Sequence, residues 1–189
     1  MPKYYGTTKG FINWDSIVNI CKKNKEGDLN SPATVINRSE ASAEGELLNS
    51  YRSVMNTWID AGYNLPEIQW YDYYPDEHFD PDVETQFSRI VNAEPLRVFV
   101  SEVYPGRNVP YHWDVEDKEE EWLKSVEIKR WVCFIDKPQF GHVLILEDQC
   151  FYNIKQHEIW EWDSYKSYHA GTNCGIEPYY LFHFVGKPR

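Results

Sequence analysis

The second half of the chain is a succession of short runs with strand periodicity, each stopped by a turn residue. Leu96, Val98 and Val100 alternate with Arg97, Phe99 and Ser101 up to Val103, and Pro105-Gly106 and Val109-Pro110 punctuate the turn that follows. Tyr111–Val115, Ile128–Ile135, His142–Leu146, Phe151–Ile154, His157–Trp162 and Tyr179–Val185 are the next runs. Seven short strands separated by turns favour a sandwich or barrel over alternating βαβ units.

The first half reads differently. Leu47, Leu48, Tyr51, Val54, Met55, Trp58 and Ile59 recur at helical spacing over 43–62. Ser42 caps the start, Glu44 and Glu46 suit the first turn, and Gly62 supplies the stop. The stripe reads as core that packs the helix against a sheet. A shorter helix is expected from Asp80-Pro81 to Val91, with Asp80 as cap, Pro81 at the first helical position, and Val83, Phe87, Ile90 and Val91 facing inward. Tyr71, Tyr73 and Tyr74, beside Trp70, Asp72 and Pro75, read as a packed linker, with the mouth of a pocket as the alternative. Over 1–45 the pattern is broken by Gly6, Gly10, Gly27 and Pro32. There Ile12, Trp14, Ile17, Val18 and Ile20 fit a short strand or a short helix. The expected architecture is a single domain over 1–189, mainly β with flanking N-terminal helices (α+β). Residues 1–93 form its helical support region and 94–189 its β core.

Composition removes some functions. The 30 acidic residues outweigh the 19 Lys and Arg, for a net charge of −11. A phosphate backbone must be neutralised by Lys and Arg, so nucleic acid bound on a general basic surface is disfavoured. Aromatics at 16 % suit ring-lined pockets or a core padded with large rings. No apolar run approaches the ~18 residues of a transmembrane helix, and Met1 to Asn13 lacks a signal-peptide pattern. The cysteines (Cys21, Cys133, Cys150, Cys174) are widely spaced with no CxxC. Neither a disulfide framework nor a Cys-based zinc site is expected, and a reducing cytoplasm is the expected compartment.

The informative residues are His112-Trp113-Asp114. On a strand, positions i and i+2 point the same way, so the imidazole and the carboxylate leave one face together. A third ligand has to come from another strand. His78, His142, His157, His169 and His183 are the candidates, and His169 is the best placed, because a small jelly roll would return it beside His112. Two histidines and a carboxylate leave open positions on a metal, as in the facial triad of non-haem iron(II) oxygenases.

From about Glu94 to Pro188 the chain resembles the aspartyl/asparaginyl/proline hydroxylase-type family of the 2-oxoglutarate and iron(II)-dependent dioxygenases. The landmarks are Pro110-Tyr111-His112-Trp113-Asp114, Lys129-Arg130-Trp131-Val132, Gly141-His142-Val143, and Ile159-Trp160-Glu161-Trp162-Asp163 leading to His169-Ala170-Gly171-Thr172-Asn173. The resemblance implies a double-stranded β-helix (jelly roll, cupin-like), with the N-terminal helices buttressing the larger sheet. It implies that His112, Asp114 and His169 ligate Fe(2+). The cosubstrate, 2-oxoglutarate, needs a cation for its distal carboxylate. Arg130 shares a strand face with Val132 and Phe134 and is the expected anchor. Many relatives carry a further arginine where this chain has Tyr179. Either Arg130 anchors alone with Tyr179 and His183 helping, or 2-oxoglutarate is not used in the usual way. Asn173 matches the family's asparagine, to orient a ligand or to fix the turn with Gly171 and Gly175.

The function expected is hydroxylation of an unactivated C–H bond in a peptide side chain or a small amino-acid-like substrate. Two rivals stand beside it. A cupin-like metal enzyme without 2-oxoglutarate would show a buried fourth ligand from His142 or His183. A non-enzymatic β-barrel binding or structural module would show the three ligands diverging. Trp160 and Trp162 read as core or rim packing. The run Glu116 to Glu121 reads as a solvated loop.

Overall fold

The computed structural model describes residues 1–23, 28–30, 53, 55–64, 67–75, 78–112, 128–163 and 167–189, with backbone alone for 28–30 and 163. Its strands are β1 (Lys3–Thr7), β2 (Asp28–Asn30), β3 (Trp70–Tyr73), β4 (Ala93–Val103), β5 (Asn108–His112), β6 (Lys129–Phe134), β7 (His142–Leu146), β8 (Gln149–Phe151), β9 (Glu158–Asp163), β10 (His169–Asn173) and β11 (Tyr179–Pro188). Two helices are described in full, α1 (Trp14–Lys23) and α2 (Asp82–Val91). The strands form two sheets, β1-β9-β6-β11-β4-β3-β2 and β5-β10-β7-β8. Neighbours within both are antiparallel. From β4 onward the chain passes repeatedly from one sheet to the other, consistent with a double-stranded β-helix arrangement.

The large sheet sorts its side chains by alternation. On its outer face Val98, Val100, Trp131, Cys133, Phe182 and Phe184 pack under the two helices. Helix α1 forms because Trp14, Ile17, Val18 and Cys21 fall on one face, and all four are buried. Helix α2 buries Val83, Phe87 and Val91, with Ile90 half-buried against them. Its first turn is capped by Asp80, whose Oδ1 accepts from Asp82 N at 2.9 Å. The inner face faces the small sheet, and its register makes rows. Arg97, Val185, Arg130 and Trp162 form the outermost row; Phe99, His183, Val132 and Trp160 the next; Asp72, Ser101, Leu181 and Phe134 the third; Val103 and Tyr179 the last.

Several elements depart from the sequence expectation. Residues 70–73 are no linker. Trp-Tyr-Asp-Tyr is a strand of the large sheet, with Asp72 turned inward and Tyr73 in the outer core. The N-terminal region adds β1 and β2 to the same sheet. His169–Asn173 is a full strand although His-Ala-Gly-Thr-Asn shows no apolar alternation; β5 and β7 supply both its ladders. Most of the expected helix over 43–62 lies outside the described residues, and 55–60 are helical. Trp58 there is buried, but Ile59, expected inward, is exposed.

Candidate metal and anion site

His112 closes β5 and His169 opens β10, and the register sets them opposite each other. Their ring centres are 4.5 Å apart. A bulge produces this pairing. Further along the ladder Gly171 faces Val109 and Thr172 faces Asn108, an offset that would set Tyr111 against His169. One extra residue on β5, at Pro110-Tyr111, turns Tyr111 outward and His112 inward. Pro110 has no N–H to lose there. On the outer face Tyr111 stacks on Tyr168 at 5.0 Å, and its hydroxyl donates to Glu147 O at 2.8 Å.

Backbone carbonyls orient both rings. His112 Nδ1 lies 2.7 Å from Pro110 O, and His169 Nδ1 lies 3.2 Å from Ser167 O. A carbonyl can only accept, so in the neutral rings Nδ1 holds the proton and Nε2 the lone pair. Metal-ligating histidines use this arrangement. Two imidazoles bound at about 2.1 Å to one divalent ion, at right angles, have ring centres ~4.6 Å apart. The pair therefore fits metal ligation. Trp58 stands edge-on to His112 at 5.6 Å, and Trp162 lies 6.0 Å from His169. Asp114 lies outside the described residues, as does the acidic run after it. Among the described residues no group of three His, Cys, Asp or Glu is gathered for a metal.

His112, His169, Arg130, Tyr179 and His183 all line one cavity of about 120 Å³ between the sheets. They divide along its length. Arg130 pairs with Val185, six residues from Tyr179 on β11, or ~20 Å along a strand. The two side chains therefore start from opposite ends and cannot share one carboxylate. Tyr179 is at the buried end, between Phe134 and His142. Burial pushes its phenol well above the ordinary range, so it stays neutral. His183 stacks flat on Phe99, centres 4.4 Å apart.

The remaining candidates have other roles. Asn173 Nδ2 donates to Val103 O and Glu177 O, each at 2.8 Å, and its Oδ1 accepts from Gly175 N at 2.9 Å. Its amide thus fixes the turn and does not line the cavity. His142 Nδ1 accepts from Gln139 N at 3.1 Å, and Nε2 donates to Glu177 O at 3.0 Å. Both nitrogens are engaged, which removes it as a fourth metal ligand. His78 accepts from Tyr74 N at 3.0 Å; neither it nor His157 lines the cavity.

Arg97 and Ser101 of the cavity wall were missed in the sequence, whereas Trp70 and Asp72 line it as the pocket alternative for their cluster had it. Asp72 is buried and its Oδ1 accepts from Ser101 Oγ at 2.6 Å. Arg97 lies in the same wall, its guanidinium 5.0 Å from the centre of the Phe99 ring. The alternation of 96–103 already placed Arg97, Phe99, Ser101 and Val103 on one face. Which face looks inward was the absent information.

No protein-family model and no curated protein matches the chain. Solved structures do. A prolyl-4-hydroxylase from Pseudomonas putida is 13 % identical over 100 % of this chain and 92 % of that one, with a TM-score of 0.48. A viral collagen prolyl hydroxylase from Paramecium Bursaria Chlorella virus-1 is 14 % identical over 73 % and 89 %, with a TM-score of 0.47. A predicted oxalate decarboxylase from Thermotoga maritima is 11 % identical over 63 % and 81 %, with a TM-score of 0.40. These are distant likenesses, and the assignments below rest on the residues of this chain.

Proposed function

We propose that the chain is an iron(II)- and 2-oxoglutarate-dependent dioxygenase that hydroxylates an unactivated C–H bond of a peptide side chain or a small amino-acid-like molecule. The observation that carries this reading is the His112–His169 pair, opposed in register, in one tautomer, on a cavity that also holds Arg130. His112 and His169 would hold iron through Nε2, with Asp114 as third ligand. Arg130 is the proposed anchor for 2-oxoglutarate. Bound iron supplies the activation of dioxygen, with the 2-oxo acid leaving as succinate and carbon dioxide.

The chain's own contribution is positional. Pro110 O and Ser167 O hold the rings, and Trp58 and Trp162 wall them. Val103, Leu144 and Leu181 keep the buried end dry, so a bound group there is oriented without competing water. One observation favours the rival cupin-type enzyme without 2-oxoglutarate: the buried end presents the neutral Tyr179 where a cation was sought. The binding-module reading expects diverging ligands, and these two histidines converge.

Anaerobic titration of metal-free protein with iron(II) and then 2-oxoglutarate decides between them. A visible charge-transfer band that vanishes in His112→Ala and Arg130→Ala supports the dioxygenase. Iron binding without the band favours the cupin-type enzyme. No metal binding refutes both.

A further inference from the structure

The two sheets differ in width, seven strands against four. At β1, the terminal strand of the large sheet, the inner face meets the loops β6–β7 and β8–β9. Tyr4 lies on that face, because it pairs with Trp160 and stands edge-on to its indole at 5.9 Å. Between β1 and the two loops opens a groove of about 720 Å³. It shares no residue with the cavity of His112 and His169.

The groove combines apolar rings with cations. Phe140 is fully exposed, and Tyr4 and Tyr152 are more than half exposed. Clustered rings in water mark an interaction surface. Lys9, Lys137 and Lys155 stand around them, all exposed. Among the described residues no carboxylate pairs with these three ammonium groups. The carboxylates nearby are engaged. Glu158 accepts from Lys155 N at 3.1 Å, and Asp136 accepts from Lys22 Nζ and from Lys137 N, each at 2.8 Å. In a chain of net charge −11 this is a local positive site, complementary to an acidic partner.

The neighbouring backbone selects the kind of acid. Among the described residues β1 has a strand beside it on one edge only, β9. An open edge offers N–H and C=O groups to an extended peptide. A nucleic acid strand has no use for such an edge, and the overall charge repels it. We propose that the groove docks an acidic, extended segment of a partner protein, its apolar side chains on Phe140 and Tyr152 and its carboxylates on the three lysines. The proposal does not rest on the dioxygenase reading, because the groove and the histidine cavity are separate.

The test is fluorescence anisotropy on the full chain with a fluorescein-labelled peptide of alternating glutamate and leucine, about eight residues long. The wild type binds it, and binding weakens as salt rises. Lys9→Ala, Lys137→Ala and Lys155→Ala each weaken binding about 2- to 5-fold, the worth of an exposed charge pair. Phe140→Ala weakens it at least ~5-fold, as loss of an aromatic anchor does. All four side chains are exposed, so the variants keep the wild-type melting temperature. No binding by the wild type below ~1 mM, or wild-type affinity in Phe140→Ala and in the triple lysine variant, overturns the proposal. So does equal affinity for the peptide with lysine in place of glutamate. A single-stranded oligonucleotide that displaces the peptide and binds more tightly also overturns it. A wild-type dimer in sedimentation that Phe140→Ala converts to monomer assigns the groove to a second copy and overturns the partner segment.

Discussion

Gly171 stands two residues past His169 on β10, and the hydroxyl of Tyr179 lies against it. A methyl group at Gly171 would overlap that hydroxyl, yet would sit an ordinary 3.7 Å from Cζ. The ring has no room to swing away, being 3 % exposed and packed on Phe134 and His142. Overpacking of this kind costs about 1–3 kcal/mol. Gly171→Ala should therefore lower stability by that amount, or about 2–9 °C in melting temperature for a domain of this size. Tyr179→Phe removes the overlapping atom and by itself costs about 1 kcal/mol or less. In the double variant the alanine becomes nearly free, so the cycle shows a favourable coupling of about 1–3 kcal/mol. Urea unfolding of the four proteins measures it. Cobalt(II) titration of the same proteins reads the site: Gly171→Ala alone weakens binding, because β10 must shift at His169. Additive unfolding energies, within about 0.5 kcal/mol, would refute the packing of Tyr179 on Gly171.

Three other perturbations follow from buried polar groups. Glu161 accepts from Lys3 Nζ at 2.9 Å, Lys129 Nζ at 3.1 Å and Trp131 Nε1 at 2.9 Å. Burial pushes its pKa up, but the two ammonium groups outweigh burial and hold it below the ordinary 4.5. Glu161→Ala should cost about 3 kcal/mol in urea unfolding. The contribution is full above pH ~4.5 and disappears as pH falls through the lower folded value; equal acid curves for variant and wild type would contradict this. His142 behaves with a different window. Burial lowers its pKa from 6.5, against smaller opposing effects of the Glu177 carbonyl and Asp136. Below pH ~6.5 the unfolded chain takes a proton that the folded chain refuses, so stability falls by up to about 1.4 kcal/mol per pH unit until the lowered value is reached. A His142→Gln variant should lose that slope, and a slope unchanged between pH 6.5 and 5 counts against it. Finally, the buried Glu102 carboxylate accepts from Tyr180 Oη at 2.6 Å and Tyr73 Oη at 2.5 Å. Tyr180→Phe should cost about 2 kcal/mol, and a loss below about 0.5 kcal/mol would show the bond to be dispensable.

What was legible in the sequence was whatever has a period. Helix α2, strands β4, β6, β7 and β11, and the shared face of Arg130, Val132 and Phe134 all follow from alternation or helical spacing. Strand β10 did not, because Gly171 and Thr172 gain their place from ladders on both sides and not from their own apolar character. The 70–73 segment misled for a related reason: three aromatics and an aspartate carry no apolar–polar alternation, although one face enters the cavity and the other the core. The pairing of His112 with His169 depends on a single extra residue in β5, which no periodic reading detects.

His112, His169 and Arg130 lie at or next to strand ends, and antiparallel topology explains why. Val185, late in β11, pairs with Arg97 within β4 and with Arg130, the second residue of β6, which brings the two arginines into one row. The end of β5 and the start of β10 reach the same level from the other sheet. Charged groups at such positions remain close to water, so they avoid the cost of isolating a charge in a dry interior. The strand interiors can then stay apolar, as Leu144, Leu181 and Val103 do. An arginine at the start of a strand looks in sequence like a solvated residue at a boundary. Closing two sheets face to face turns several such boundaries into one rim, where the opposed His112–His169 pair and Arg130 line the same cavity.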